Sequence, residues 1–266
     1  MSRDKHIRLG LIGYGAIAHE IAQKVSDIGS IEIVGALVLP EDQSKTASFP
    51  LVTTWRELSA FNPNLVAECA SHDAVDSHAE AILAANIDLM IVSIGALADQ
   101  ALEQKIRRAA EKSGGQVILP AGAMIGIDGL AAARRVGLDQ VVLTSSKPPL
   151  AWSGAPGSKK INLQEIDQET VIFSGTARQA ARQFPKNANV AAAIALAGIG
   201  FDRTQVTLIA DPKAQGNRHV LEFSGAAGSY LVQTDGVVSP DNPKTSMLTA
   251  YSILRAIENR TSAIII

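Results

Sequence analysis

Two groups of residues in this chain have the types and spacing to do chemistry. The first is Gly13-Tyr14-Gly15-Ala16-Ile17-Ala18, a G-x-G-x-x-A turn. Gly13 permits a tight turn, Gly15 lets a pyrophosphate approach the backbone, and Ala18 lets a helix lie close to a strand. A helix that starts at Ala16 and Ile17 presents free N–H groups to a phosphate. The plain alternative is a glycine turn that only joins two elements. The second group surrounds five histidines. His6 precedes the first strand, His19 and His78 sit on helices, and His72 follows a strand and could face a cofactor. His219 differs, because it alternates with Leu221 and Phe223 on one strand face while Arg218 and Glu222 take the other. An imidazole there is placed for proton transfer, although position alone equally suits a hydrogen-bonded core residue. Phe184-Pro185-Lys186-Asn187-Ala188-Asn189-Val190 opens an apolar helix. Asn187 or Asn189 can cap that helix, or Lys186 and the helix N-terminus can form an anion site.

Positioning these residues requires a frame, and the first half of the chain supplies strand and helix patterns in alternation. Apolar runs at His6–Ile12, Ile31–Leu39, Leu65–Ala70, Asp88–Ser93 and Gln116–Leu119 read as strands. Between them, helices are expected after Gly15, from Thr54, over Asp73–Ala85 and over Asp99–Ser113. Such alternation predicts an α/β, doubly wound parallel sheet. After Pro120 the texture changes. A glycine-rich turn over 121–129 leads into a helix over Leu130–Arg135, and Gln140–Ser146 reads as a strand. Strands are also expected at Val171–Thr176, Gln205–Ala210, Arg218–Ser224 and Tyr230–Thr234. With Asn189–Ala197 as the one crossover-like helix, these strands point to a mostly antiparallel sheet with helices on one face. The final helix, Thr245–Asn259, is expected to pack back on the first domain. The boundaries are then 1–122 completed by 243–266 for the nucleotide-binding domain, and 123–242 for the second.

Composition narrows the partners. A formal net charge of −2 gives no basic surface for nucleic acid or an anionic membrane. The basic pairs Arg107-Arg108, Arg134-Arg135 and Lys159-Lys160 are scattered and read as solvated faces. The single Cys69 excludes an intrachain disulfide and any multi-cysteine metal site, and no metal is expected. No apolar run nears a membrane span and no leader precedes the first strand, so a cytoplasmic protein is expected. At the end of the second strand, where an acid would hold a cofactor ribose, the chain reads Ala36-Leu37-Val38-Leu39-Pro40. Glu41 and Asp42 come just after it, and Lys45 is the one nearby cation. NAD is preferred and NADP stays open.

The segments Gly10–Ile17, Ser93-Ile94-Gly95-Ala96-Leu97-Ala98-Asp99, Phe184–Ala192 and Asn242-Pro243-Lys244-Thr245-Ser246-Met247-Leu248-Thr249-Ala250 together resemble L-aspartate dehydrogenase. The likeness runs from the first strand to the last helix. It implies a Rossmann domain and an α+β catalytic domain that forms a homodimer interface. It also implies oxidative deamination of L-aspartate with NAD or NADP to iminosuccinate, which hydrolyses to oxaloacetate and ammonia or feeds NAD biosynthesis. Carried over by residue, the active-site histidine falls on His219. The cofactor contacts fall on Gly13, Gly15, Ala16 and Ile17, on Ala123 in the Gly122-Ala123-Met124 turn, and on Asn189. Lys147, Lys186 and Asn187 are candidates for the substrate carboxylates, with Arg178 and Arg182 on what reads as a solvated helix face. A sugar, inositol or homoserine oxidoreductase is the alternative enzyme, and the first of these usually carries Glu-Lys-Pro where this chain has Ser93-Ile94-Gly95-Ala96. A small-dicarboxylate reductase lacks its His-His or Lys motif here. A nicotinamide-sensing protein without turnover is the alternative outside enzymes.

Overall fold

The computed structural model describes residues 6–25, 28–159, 161–239 and 242–265, without the side chains of 239 and 242–245. Lys160, and the Pro243, Lys244 and Thr245 side chains of the last motif, therefore lie outside the described residues. The chain folds as two compact units, Met1–Pro120 with Ala250–Ile266, and Ala121–Thr249.

The first unit runs β1 (Ile7–Ile12), α1 (Ala16–Val25), β2 (Ile31–Leu37), β3 (Leu51–Val52), α2 (Trp55–Ser59), β4 (Leu65–Glu68), α3 (His72–Ala84), β5 (Asp88–Ile91), α4 (Gln100–Ser113) and β6 (Val117–Ile118). The strands pair in parallel in the order β3-β2-β1-β4-β5-β6, the doubly wound order expected from the alternation. β1, β4 and β5 are apolar almost throughout because helices cover both faces of a parallel sheet. Leu9, Leu11, Ile21, Leu65 and Met90 make one core, joined by Ile253, Leu254 and Ile257 from the chain's last helix. The strand order reverses between β1 and β4, so their carboxyl ends open the crevice where such sheets take ligands.

The second unit runs α5 (Ile127–Ala133), β7 (Leu138–Lys147), β8 (Thr170–Thr176), α6 (Ala177–Gln183), α7 (Asn189–Ala197), β9 (Gln205–Ala210), β10 (Asn217–Gly225) and β11 (Gly228–Gly236). A hairpin, β12 (Val238–Ser239) and β13 (Asn242–Ser246), then leads into α8 (Met247–Glu258). The main sheet has the order β11-β10-β7-β9-β8. β10 is antiparallel to β7 and β11, and β8 to β9, but β7 and β9 run parallel, so the sheet is mixed. The long connection through β8, α6 and α7 allows that return, as a parallel pair requires. Two further differences from the sequence reading stand out. Thr245 lies within a strand rather than starting a helix, because 242–246 pair with β12 and α8 begins only at Met247. The helix face expected at Arg178 and Arg182 is α6, but its start at a capping box between Thr176 and Gln179 is additional to the sequence reading. Along β7, Val141, Leu143, Ser145 and Lys147 share one face and are buried. Gly198, after α7, lies so close to that face that a Cβ would be 3.4 Å from Val141.

Candidate active site

In the first unit the glycine turn has the geometry a pyrophosphate needs. Gly13 has φ +83°, and a Cβ there would come 2.8 Å from that of Ala70. Its N–H donates to the Leu37 carbonyl at 2.8 Å, which fixes the turn against β2. Gly15 faces open space, with nothing within 4 Å of a Cβ built on it. Its carbonyl accepts the first helical bond of α1, from His19 N–H at 2.9 Å. Ala16 and Ile17 occupy the first turn, which holds no acidic residue to repel a phosphate, and Ala18 is fully buried. The turn therefore fits the pyrophosphate of a nicotinamide nucleotide. At the ribose end, Lys45 forms an ion pair with Asp42 at 2.9 Å, so the one nearby cation is already engaged.

The carboxyl ends of β4 and β5 are tied by a residue that the sequence reading passed over. Glu68 is only 1% exposed. Its Oε1 accepts from the backbone N–H of Ala70 at 2.7 Å and of Ser71 at 2.8 Å, and from the Ser93 hydroxyl at 2.9 Å. Its Oε2 accepts the Ser93 N–H at 2.9 Å. Burial pushes the Glu68 carboxyl above the usual carboxylate range, against the pull of those donors. One side chain thus shapes both loops that border the crevice. The available signal was an acid ending an otherwise apolar strand. Cys69 beside it has its thiol pushed up by burial and the Glu68 charge, which disfavours the reactive thiolate.

The second unit gathers polar groups on the buried face of its sheet. His219 lies across from Ser145 on β7 and Thr234 on β11. Ser145 Oγ and His219 Nδ1 share a hydrogen bond of 2.8 Å, and His219 is 3% exposed. Burial first, and the Lys147 charge second, push the imidazole down to about 3, so it is neutral over the working range. Lys147 lies two residues beyond Ser145 on the same strand face and is itself buried. Burial brings its ammonium down to about 8. Its Nζ donates to Asn187 Oδ1 at 3.1 Å and lies 5.2 Å from the centre of the Trp152 ring. Asn187 ends a 3₁₀ turn, Pro185–Asn187, just before α7.

The remaining candidates fall as follows. Neither Asn187 nor Asn189 is the N-cap of α7; that position is Ala188, and Asn189 is the first helical residue. Lys186 is exposed. Ala123 is buried after Gly122, whose φ is +66°. Arg178 is committed to Asp202 through bonds of 2.6 and 2.8 Å, and Arg182 is exposed. His19 bonds Tyr14 and Gln23 on an exposed helix face, His6 lies 3.6 Å from Glu32, and His72 and His78 are half-buried on α3. The structure thus brings together Ser145, Lys147, Asn187 and His219 in the second unit, and Gly13, Gly15, Ala16 and Ile17 in the first. Among the described residues no helix is long and apolar enough to cross a membrane.

Comparison with known proteins bears on both units. Residues 128–260 match the family model described as aspartate dehydrogenase, C-terminal, and residues 13–120 match that of homoserine dehydrogenase, NAD binding domain. An L-aspartate dehydrogenase of Cupriavidus necator is 40% identical over 264 residues, 97% of this chain and 99% of the relative. One of Pseudomonas aeruginosa is 41% identical over 265 residues, again 97% and 99%. The crystal structure of an aspartate dehydrogenase from Thermotoga maritima superposes with a TM-score of 0.81 at 28% identity, covering 98% of this chain and 99% of that one.

Proposed function

This chain belongs to the L-aspartate dehydrogenase family, and on that premise we infer that it removes a hydride from Cα of L-aspartate and a proton from its α-amine, giving iminosuccinate. NAD, when bound, supplies the hydride acceptor. Gly13, Gly15, Ala16 and Ile17 would hold its pyrophosphate, with Ala123 and Asn189 as further contacts.

The observation that carries the catalytic assignment is the buried Ser145–His219 bond beside Lys147. In the tautomer whose Nδ1–H donates to Ser145, Nε2 carries the lone pair and no protein group among the described residues takes it. His219 Nε2 would accept the amine proton as the imine forms and, after releasing that proton to solvent, can deprotonate the water that hydrolyses the imine. Assistance of this kind is worth about 10²–10⁴-fold. The hydrolysis products are oxaloacetate and ammonia; release of iminosuccinate to NAD biosynthesis is the other outlet. Lys147, Lys186 and Asn187 are the candidates for the two substrate carboxylates.

A homodimer is also proposed. The sheet face opposite His219 carries half-buried Val142, Thr144, Thr207 and Val220 and exposed Leu231 and Val171 among the exposed charges of Arg218, Glu222 and Asp235, a mixed apolar and polar surface of the kind a second copy can cover. Sedimentation at micromolar concentration tests it, and a monomer would dismiss it.

Activity is tested by following NADH absorbance at alkaline pH with L-aspartate, D-aspartate, L-glutamate, L-alanine, L-homoserine and myo-inositol. Reduction with L-aspartate alone is expected. Reduction with inositol or homoserine instead would keep the fold and discard the substrate, and NADH binding without any turnover would favour a sensor.

A further inference from the structure

Lys147 is a cation placed where a cation is costly. Its side chain is 6% exposed at the end of β7, and burial alone accounts for its lowered proton affinity. Buried charges are ordinarily paired with an opposite charge. Lys147 instead has a neutral amide oxygen, Asn187 Oδ1, and the face of Trp152. No carboxylate among the described residues forms an ion pair with it. The surroundings are built rather than accidental. Trp152 is fully buried, its Nε1–H donates to the Ile209 carbonyl at 3.1 Å, and its ring meets Phe184 edge-on at 5.8 Å. A ring face and an amide oxygen both favour the ammonium over the neutral amine. Among the described residues, only one of its three N–H donors has a protein acceptor.

We propose that Lys147 is the specificity-determining cation of the site, the fixed counter-ion of a substrate carboxylate, aimed by Asn187 and Trp152. The proposal deepens the aspartate reading and rests on it. It has a consequence on the neighbouring strand, β10. The positive charge of Lys147 is one of the two causes that keep His219 from holding a proton. A carboxylate seated on Lys147 cancels that contribution, so the substrate prepares the base that acts on it. Lys186 could not do this, being exposed.

The test compares wild type with Lys147→Met, Lys147→Gln and Lys147→Arg, reading KM and kcat for L-aspartate, the competitive inhibition constant of succinate, and NADH affinity by fluorescence. Succinate has both carboxylates and no amine, so it reports the anchor without the chemistry. For the methionine and glutamine variants, KM and the succinate constant should rise together by about 10²-fold, a common size for a lost buried charge partner. NADH affinity should stay within twofold of wild type, and arginine should restore part of the loss. A KM and succinate constant within threefold of wild type in either uncharged variant would overturn the proposal, as would a fall in kcat alone. The glutamine variant can still donate to Asn187, so it guards against misfolding of the methionine variant. If wild type itself fails to oxidise L-aspartate, the activity reading fails; if wild type works and the variants bind aspartate equally well, only the anchor fails.

Discussion

Lys147→Met should stabilise the protein at neutral pH while it damages binding. Burial moves the ammonium from an ordinary 10.5 to about 8, so the charged form is penalised at lower pH. At roughly 1.4 kcal/mol per pH unit, that penalty is about 3 kcal/mol. Two interactions are lost in exchange. The contact with Trp152 is worth ~1–2 kcal/mol in a desolvated site, and leaving Asn187 Oδ1 without its donor costs about 1 kcal/mol. The net gain is then about 1 kcal/mol below pH 8. The unfolded lysine keeps its proton up to about 10.5 and the folded one only to about 8. Between those values the unfolded state binds more protons, so wild type regains stability as pH rises and the variant does not. The advantage of Lys147→Met should therefore shrink above pH 8 and reverse near pH 9. Urea unfolding of both proteins at pH 7 and 10, with equal slopes as a control, measures this. A variant less stable than wild type at pH 7, or a difference that does not move with pH, would refute the reasoning.

Three further substitutions probe the rest of the site. Ser145→Ala removes the partner of His219 Nδ1, and a loss of roughly 1–2 kcal/mol should lower kcat about tenfold with KM little changed; a raised KM at unchanged kcat would deny Ser145 its positioning role. Glu68→Gln preserves an oxygen for Ala70, Ser71 and the Ser93 hydroxyl but sets an amide N–H₂ against the Ser93 N–H. Calorimetry should find it less stable by ~1–2 kcal/mol, and equal stability would show that the four bonds matter less than the buried charge they surround. Gly13→Ala combines a left-handed backbone with the 2.8 Å approach to Ala70. It should cost about 2–4 kcal/mol and weaken NADH binding; unimpaired binding by fluorescence titration would remove the turn from the nucleotide site.

What could be read in the sequence was local. The glycine turn of 13–18 announces itself by the strand before it and the helix after it, and the side of β10 that His219 takes follows from alternation with Leu221 and Phe223. What could not be read depends on partners far along the chain. Glu68 matters because of Ser93, 25 residues on, and Lys147 because of Asn187, 40 residues on. No periodicity encodes such pairs. The parallel β7–β9 pairing was hidden for the same reason, since each strand alone has the same pattern in either direction. The Asn187 and Asn189 cap assignment failed because cap chemistry was judged from residue type, while in the folded chain Asn187 serves Lys147.

Oxidation of L-aspartate with His219 as the proton acceptor is decided by the steady-state rate of NADH formation from L-aspartate by wild type and His219→Ala, with NADH affinity measured on both. Robust wild-type turnover, a fall in kcat of about 10²–10⁴-fold in the variant and unchanged NADH affinity are expected. Turnover by His219→Ala within a few-fold of wild type would contradict that role of His219.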